Sequence, residues 1–487
     1  MAKADGSNRP TRKIDQAAGM REDFLKALKR NPIRARESDA ALTASLRELG
    51  FRMDGKSLRA LQAPYLLSAN DVRELTRSVR TISNLLEQVV QLALSSVTFM
   101  EQVGVSPNLE ELALSDTPSR LAIEYARYDF IPTPGGPRFL EFNVDSPAGS
   151  TFSNILDTEY QKLEAAKDVG MASLFPSAPD VELYCDAMLA AYKEHARATV
   201  EQPNIAVVDF DGTPTLPEQQ LVVDCLVKRG LTAKVVDPRE FEFNTEDKGL
   251  YHKDVRYHLI CRRALVPELA RRRVLIAPFL RALRYGDVVT VNPLRSRLAG
   301  NKGVLEILTS AAFDRFFTPA ENQEKTRLLP WTRKLVERKT DYLGREVDLL
   351  PFVASRPDKF VLKPGGGYGG EDVILGPHCA KDDWLKRLDE AVNQQGVVQE
   401  YVPVREHSVP IIEGTEVLDS KKYLTLGAFA IRGEYGGCIG RVSADPVVNV
   451  KRGGGIVPVL ELGGRSKTGP IEAARPRRRR NTSGRIH

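Results

Sequence analysis

The chain is short of the residues that build disulfide frameworks, metal clusters and nucleophilic triads. Its 487 residues include only 5 cysteines and 6 histidines. Cys185, Cys225, Cys261, Cys379 and Cys438 are odd in number, widely spaced and form no CxxC pair. That argues against a disulfide framework and a zinc site, and it fits a reducing cytoplasm. The histidines are too scattered to propose a His-based metal site or a triad. Every long apolar stretch is interrupted by charge, so no membrane span is expected. The opening MAKADGSNRPTRK lacks the apolar core of a secretory signal. No GxGxxG dinucleotide fingerprint and no fixed-period repeat occur. One-signed charge is confined to the end. The formal charge is +6, and RPRRRRNTSGRIH alone carries six arginines and no acid, which leaves the rest neutral. The body therefore has no nucleic-acid signature; only residues 475–487 could touch an acidic surface.

What is present is ordinary for a soluble globular protein: 42% hydrophobic and 28% charged residues. The length suggests about three domains at ~150 residues each. The first forty residues are polar, basic and weakly periodic. VRELTRSVRTISNLLEQVVQLAL, within about 71–103, has apolar residues at helical spacing. From Pro203 the runs NIAVVDF, QQLVVDCLVKRG, LTAKVVDP and YHLICRR read strand, helix, strand, strand, a parallel βαβ unit of Rossmann type. YLTLGAFAIRG and GCIGRVS read as an antiparallel hairpin turning at EYGG.

Two segments carry chemistry. EYARYDF and FLEFNVD flank the turn Pro-Gly-Gly-Pro and read as a hairpin. A turn centred on Gly135 sets Asp129 opposite Glu141 and Arg127 opposite Asn143. The two carboxylates then stand roughly 5 Å apart, a like-charge conflict that a divalent cation removes. Mg²⁺ takes oxygen ligands, commonly one or two carboxylates with substrate phosphates. Asp129, Glu141 and Asn143 are the candidate metal ligands, and Arg127 suits an anionic substrate.

The second segment is KFVLKPGGGYGGEDVILG. Lys363 ends a strand, and a loop including Gly366, Gly367, Tyr368, Gly369 and Gly370 follows. Backbone N–H groups of such a loop can fold over phosphate oxygens, because no Cβ blocks the approach. The lysine precedes the loop, so this is not a Walker A motif. Lys302, in GNKGVLEIL, lies at an expected helix start, where backbone amides favour anions. In VVQEYVPV, the strand through Gln399, Glu400, Tyr401 and Val402 can offer backbone groups to an adenine edge. Gln399 and Glu400 lie on opposite faces, and the sequence leaves open which one faces a nucleotide. DSPAGS offers Ser146 and Ser150 as polar contacts, and Arg262 or Arg263, at a strand end, could meet a carboxylate.

In this order, RYD…EFN, NKGVLEIL, FVLKPGGGYGGEDV, VVQEYVPV and VVNVKRGGG, the motifs resemble the circularly permuted ATP-grasp ligases, of which glutathionylspermidine synthetase is the best-known relative. The resemblance spans about residues 115–465. It implies an α/β (α+β) fold of ATP-grasp type, with a Rossmann-like subdomain and an N-terminal helical region. The implied division is a loose or peripheral segment 1–60, a helical region with the metal hairpin 61–200, a subdomain preceding the grasp at 201–290, an ATP-binding subdomain 291–405, the C-terminal part of the core 406–470, and a disordered Arg-rich tail 471–487. It also implies ATP and Mg²⁺, with Lys302 and Lys363 on the phosphates, Arg127 on the transferring group, and Gln399 to Val402 along the nucleotide. Tyr368 stands where the synthetase has an arginine, and residues 1–110 contain no Cys–His amidase, so glutathione and spermidine do not transfer. The expected activity is ADP-forming ligation of a small-molecule or peptide carboxylate to an amine through an acyl phosphate, with Arg263, Ser146 and Ser150 near the substrate. The alternative is an ATP-binding regulatory or scaffold protein without turnover.

Overall fold

Phe24 and Leu28, then Ala35, Leu42 and Leu46, recur at helical spacing between basic residues, and all five are buried. They lie on α1 (Arg12–Arg30) and α2 (Pro32–Glu48). The Asn31 side chain caps α2 by accepting the N–H of Arg34 at 3.1 Å. The computed structural model describes residues 12–53, 56–115, 119–365, 373–414, 416–448 and 454–463. Within the N-terminal part, the expectation of a loose segment is corrected: residues 12–48 are helical and bury an apolar stripe, which exposed arginines and lysines had masked in the sequence.

The next helix, α3 (Ala69–Ser95), starts at a capping box in which Ser68 and Asp71 satisfy each other's backbone N–H groups. It stops at Ser96, which caps a second helix over Val97–Val103, so the single expected helix is two. The hairpin follows as β1 (Tyr125–Thr133) and β2 (Gly136–Asn143). Then come β3 (Ile205–Val208), α4 (Leu216–Lys228), β4 (Ala233–Val236), β5 (Leu259–Arg262) and β6 (Val289–Val291). These four strands form a parallel sheet in the order β6-β5-β3-β4.

A short helix, α5 (Gly303–Thr309), leads to an antiparallel sheet of β7 (Thr332–Lys334), β8 (Phe360–Lys363), β9 (Ile374–Leu375) and β10 (Val397–Glu400), in the order β7-β10-β8-β9. The chain then adds β11 (Glu406–Glu413), β12 (Glu416–Ile431), β13 (Glu434–Ser443) and β14 (Gly455–Val457). β12 pairs antiparallel with β1, so the early hairpin and the late strands are one sheet, ordered β14-β13-β12-β1-β2 with β11 also on β12. The β12–β13 turn is at Arg432 and Gly433, both with positive φ, as two-residue hairpin turns prefer. Glu434 to Gly437 therefore belong to β13 and not to the turn.

Alternation decides what each face of this sheet does. Ala126, Tyr128, Phe130, Leu424, Leu426 and Ala428 pack with α3 in the largest core. Arg127, Asp129, Thr425 and Gly427 point the other way. The Asn292 side chain fastens the hairpin to the parallel sheet. Its Oδ1 accepts the N–H groups of Glu124 and Tyr125, and its Nδ2 donates to the carbonyls of Tyr125 and Val144. Among the described residues no helix is long and apolar enough to cross a membrane.

Candidate active site

The ladder sets Asp129 opposite Glu141 and Arg127 opposite Asn143. The route to that register differs from the expected one. The turn holds only Pro134 and Gly135, between Thr133 and Gly136, and a bulge at Leu140 restores the pairing beyond Phe139. The bulge leaves the Leu140 carbonyl outside the ladder. That oxygen accepts Lys363 Nζ at 2.8 Å and Gln399 Nε2 at 3.5 Å. The irregularity in the hairpin is therefore where the second sheet fastens to it.

In β8 and β10, Phe360, Leu362 and Val398 pack into a separate core. Their neighbours Val361, Lys363 and Gln399 face the hairpin. Glu400, Tyr401 and Val402 follow at the strand end. Together the two sheets wall a cleft of about 870 Å³, its open mouth included. Arg127, Asp129, Glu141 and Asn143 line one side, and Lys363 and Gln399 the other. The question of faces resolves: Gln399 is buried with its amide on Thr332 and Leu140, while Glu400 sits at the mouth, 3.7 Å from Arg138.

The electrostatics are not those of two bare carboxylates. Arg127 Nε donates to Asp129 Oδ1 at 2.8 Å, Arg441 reaches Oδ2 at 2.9 Å, and Asn143 Nδ2 donates to Oδ2 at 3.2 Å. Burial alone would raise the Asp129 carboxyl, but Arg127 and Arg441 outweigh it and hold the group down to about 2. Two guanidinium groups thus offset the charge on Asp129. Glu141 makes no hydrogen bond or ion pair among the described residues. Lys363 is pushed down to about 8 by burial and also by Lys302, against the pull of Glu141 and Asp129.

Lys302 is the N-cap residue of α5, and its Nζ donates to the carbonyl of Pro364. It is not among the described residues that line the cleft. Gly366, Gly367, Tyr368, Gly369 and Gly370 lie outside the described residues. Ser150 and Arg263 line a separate small pocket with Glu218 and Tyr184. Arg263 Nη1 donates to the Pro147 carbonyl at 2.8 Å, and Glu218 accepts the N–H groups of Gly149 and Thr151. Ser146 Oγ is buried without a partner among the described residues. Arg262 already has its carboxylate, Asp145 Oδ1 at 2.5 Å. Ser146, Ser150, Arg262 and Arg263 therefore cluster around loop 145–149, which touches the cleft through the Arg127 Nη1 bond to the Ala148 carbonyl at 2.7 Å.

Sequence reasoning missed Arg441, Thr425 and Gly427. Thr425 pairs with Arg441 across β12 and β13, and both line the cleft. Thr425 Oγ1 and Arg441 Nε are buried with no partner among the described residues. Alternation in GCIGRVS places Arg441 opposite in face to Gly440 and Val442, but not toward any particular site.

Among the described residues, no three His, Cys, Asp or Glu side chains converge to hold a metal. Two carboxylates and an amide do converge, and one carboxylate is open. That donor set fits a hard cation that shares its shell with phosphate and water.

The fold is a shared one. The apo structure of a glutathione synthetase-like effector from Globodera pallida superposes with a TM-score of 0.61 at 10% identity, covering 88% of this chain and 96% of that one. At this identity the likeness is one of fold, a mixed α/β architecture. A structure named as a putative gamma-glutamylcysteine synthetase from Methylobacillus flagellatus covers 85% of this chain and 94% of its own at 13% identity, with a TM-score of 0.41, too loose to carry weight. No protein-family model matches the chain. No curated protein matches it.

Proposed function

We propose that the protein is an ATP-dependent, ADP-forming ligase that joins a carboxylate to an amine, and that the cleft between the two sheets is its nucleotide site. One observation carries the reading. The open carboxylate of Glu141 lines the same cleft as Asp129, Asn143 and Lys363, together with apolar Val361, Leu375 and Val402. Anionic, cationic and apolar groups share this one cleft, which suits a nucleotide with its phosphates on Mg²⁺. The fold shared with a glutathione synthetase-like effector agrees with a ligase.

On this reading Glu141, Asn143 and Asp129 would hold Mg²⁺, which would neutralise phosphate charge. Arg127 and Arg441, which pair with Asp129, would supply positive charge to the phosphate oxygens. Lys363 supplies a further charge, with Lys302 near it. The strand end Gln399 to Val402 borders the base. Arg127 orients the γ-phosphate toward the substrate carboxylate, and an amine displaces phosphate from the resulting acyl phosphate. The work is positioning and charge stabilisation. The described cleft residues include no Cys, Ser or His to act as a covalent nucleophile, in keeping with a substrate-borne intermediate.

Glu141→Ala tests the reading. Carboxylate-dependent ADP release, assayed against pooled amino acids and amines, is expected to fall about 10²- to 10³-fold while circular dichroism stays unchanged. Wild-type turnover in that variant contradicts the assignment. Nucleotide binding by the parent with no ADP release for any acid–amine pair points instead to an ATP-binding protein without turnover.

A further inference from the structure

A second groove, of about 620 Å³, shares no lining residue with the cleft. It lies between α1 and the β11–β12 hairpin. Arg21 enters it from α1, half-buried. Among the described residues Arg21 has no hydrogen-bond or ion-pair partner, and burial lowers its pKa from the usual guanidinium range. Gln62, 2% exposed, donates its Nε2 to Asp39 at 2.9 Å, but its buried Oε1 receives no donor. Asp419 enters from β12. Its carboxylate accepts the Ser408 hydroxyl and has Lys421 at 4.0 Å, on the solvent side. Glu22, also on the wall, is taken by Lys26 at 2.8 Å. His407, beside Tyr65, is held neutral, pushed down to about 4 by burial and then by Arg21.

The groove thus presents an unpaired cation, an unsatisfied buried acceptor and a carboxylate that does not pair with that cation. Phe24, Leu25, Pro64 and Pro410 supply apolar surface between them. A ligand that satisfies all four features carries a carboxylate, an ammonium and a short apolar group. We infer that this groove binds a free α-amino acid with an aliphatic side chain, its carboxylate on Arg21, its ammonium on Asp419 and Gln62 Oε1, and its side chain against Phe24 and Leu25. Charged hydrogen bonds at both ends give selectivity that an apolar groove alone lacks. β12 passes from Asp419 at this groove to Thr425 at the cleft, so an occupant here would touch a strand that also walls the proposed active site.

The test is calorimetric titration of the full chain with L-leucine, without nucleotide. One-site saturable binding is expected. 4-Methylpentanoate, which lacks the ammonium, and 3-methylbutylamine, which lacks the carboxylate, should each bind at least about tenfold more weakly. Arg21→Met should weaken leucine binding by at least about tenfold, and Asp419→Asn, on an exposed strand edge, repeats the test if α1 does not tolerate the first change. Glu141→Ala should leave leucine binding unchanged, which separates this groove from the cleft. The inference is overturned if leucine, isoleucine and valine give no saturable heat up to about 10 mM, if the Arg21 and Asp419 variants bind as the parent does, or if Glu141→Ala abolishes binding.

Discussion

Glu87 shows how burial sets the chemistry of a single side chain. It projects from α3 to accept the N–H groups of Ala122 at 3.0 Å and Ile123 at 2.8 Å, just before β1. Burial lifts its carboxyl from 4.5 to about 7, against those two bonds and Arg295. Between these values the folded chain binds more protons than the unfolded chain, so Glu87 makes stability fall as pH rises from 4.5 to about 7. Asp129 works the other way. Its stability contribution is present above 3.8 and is lost as pH falls toward about 2, outside the Glu87 window. His407, lowered from 6.5 to about 4, favours the fold as pH rises within part of that window, and Glu124, lifted by burial from 4.5 to about 7, acts like Glu87, so the raw profile mixes several groups. Comparison with a variant isolates Glu87. In Glu87→Gln the loss of stability between about pH 5 and about pH 7.5, read from urea midpoints, should shrink relative to the parent. An identical loss in both proteins refutes the assigned shift.

At the scale of elements, the contact between β1 and β12 decides whether the site forms. Asp129 pairs with Gly427. A Cβ at Gly427 would lie 2.8 Å from Asp129 Oδ1, 2.9 Å from Arg127 Cδ and 2.9 Å from Ile439 Cγ2. Glycine there lets the Arg127–Asp129 pair lie flat on the neighbouring strand. Gly427→Val should cost about 1–3 kcal/mol of stability, as overpacked sites do. Because it displaces the pair, it should also lower ADP-forming turnover at least about tenfold at saturating substrate. Full turnover with normal KM would mean the pair has no part in the reaction. This contact also marks how far the sequence could be read. The pairing of Asp129 with Glu141 was legible from alternation and a short glycine turn. The turn itself is one residue shorter than expected, and the bulge at Leu140 makes up the difference. The bulge shows in the sequence only as the three-residue spacing of the core residues Phe139 and Phe142, and nothing marks the Leu140 carbonyl that Lys363 binds. Gly427 was invisible for another reason: its partner lies about 300 positions away.

Across the whole molecule, a hairpin near residue 130 and a sheet built from residues 332–400 close on one cleft, joined by strands beyond residue 406. The ends of this arrangement were legible, because each carries charged residues in a local motif with a chemical reason. The parallel unit at 205–291 was legible from its alternation of strand and helix. The helices α1 and α2 were not, since Phe24, Leu28 and Leu42 stand among arginines and lysines that obscure the apolar stripe. Arg441 was not, because its role depends on which strand lies beside β12. Ser150 was chosen as a polar residue of the loop after the hairpin and Arg263 for its place at a strand end, and the fold sets both in a side pocket. The account as a whole rests on the cleft being a nucleotide site. A crystal structure of the full chain soaked with ADP and Mg²⁺ tests that most directly. The predicted result is density for the phosphates between Glu141 and Lys363, a cation on Glu141 and Asn143, and the base beside Gln399 to Val402. An empty cleft at saturating nucleotide, or a nucleotide bound anywhere else on the molecule, would contradict it.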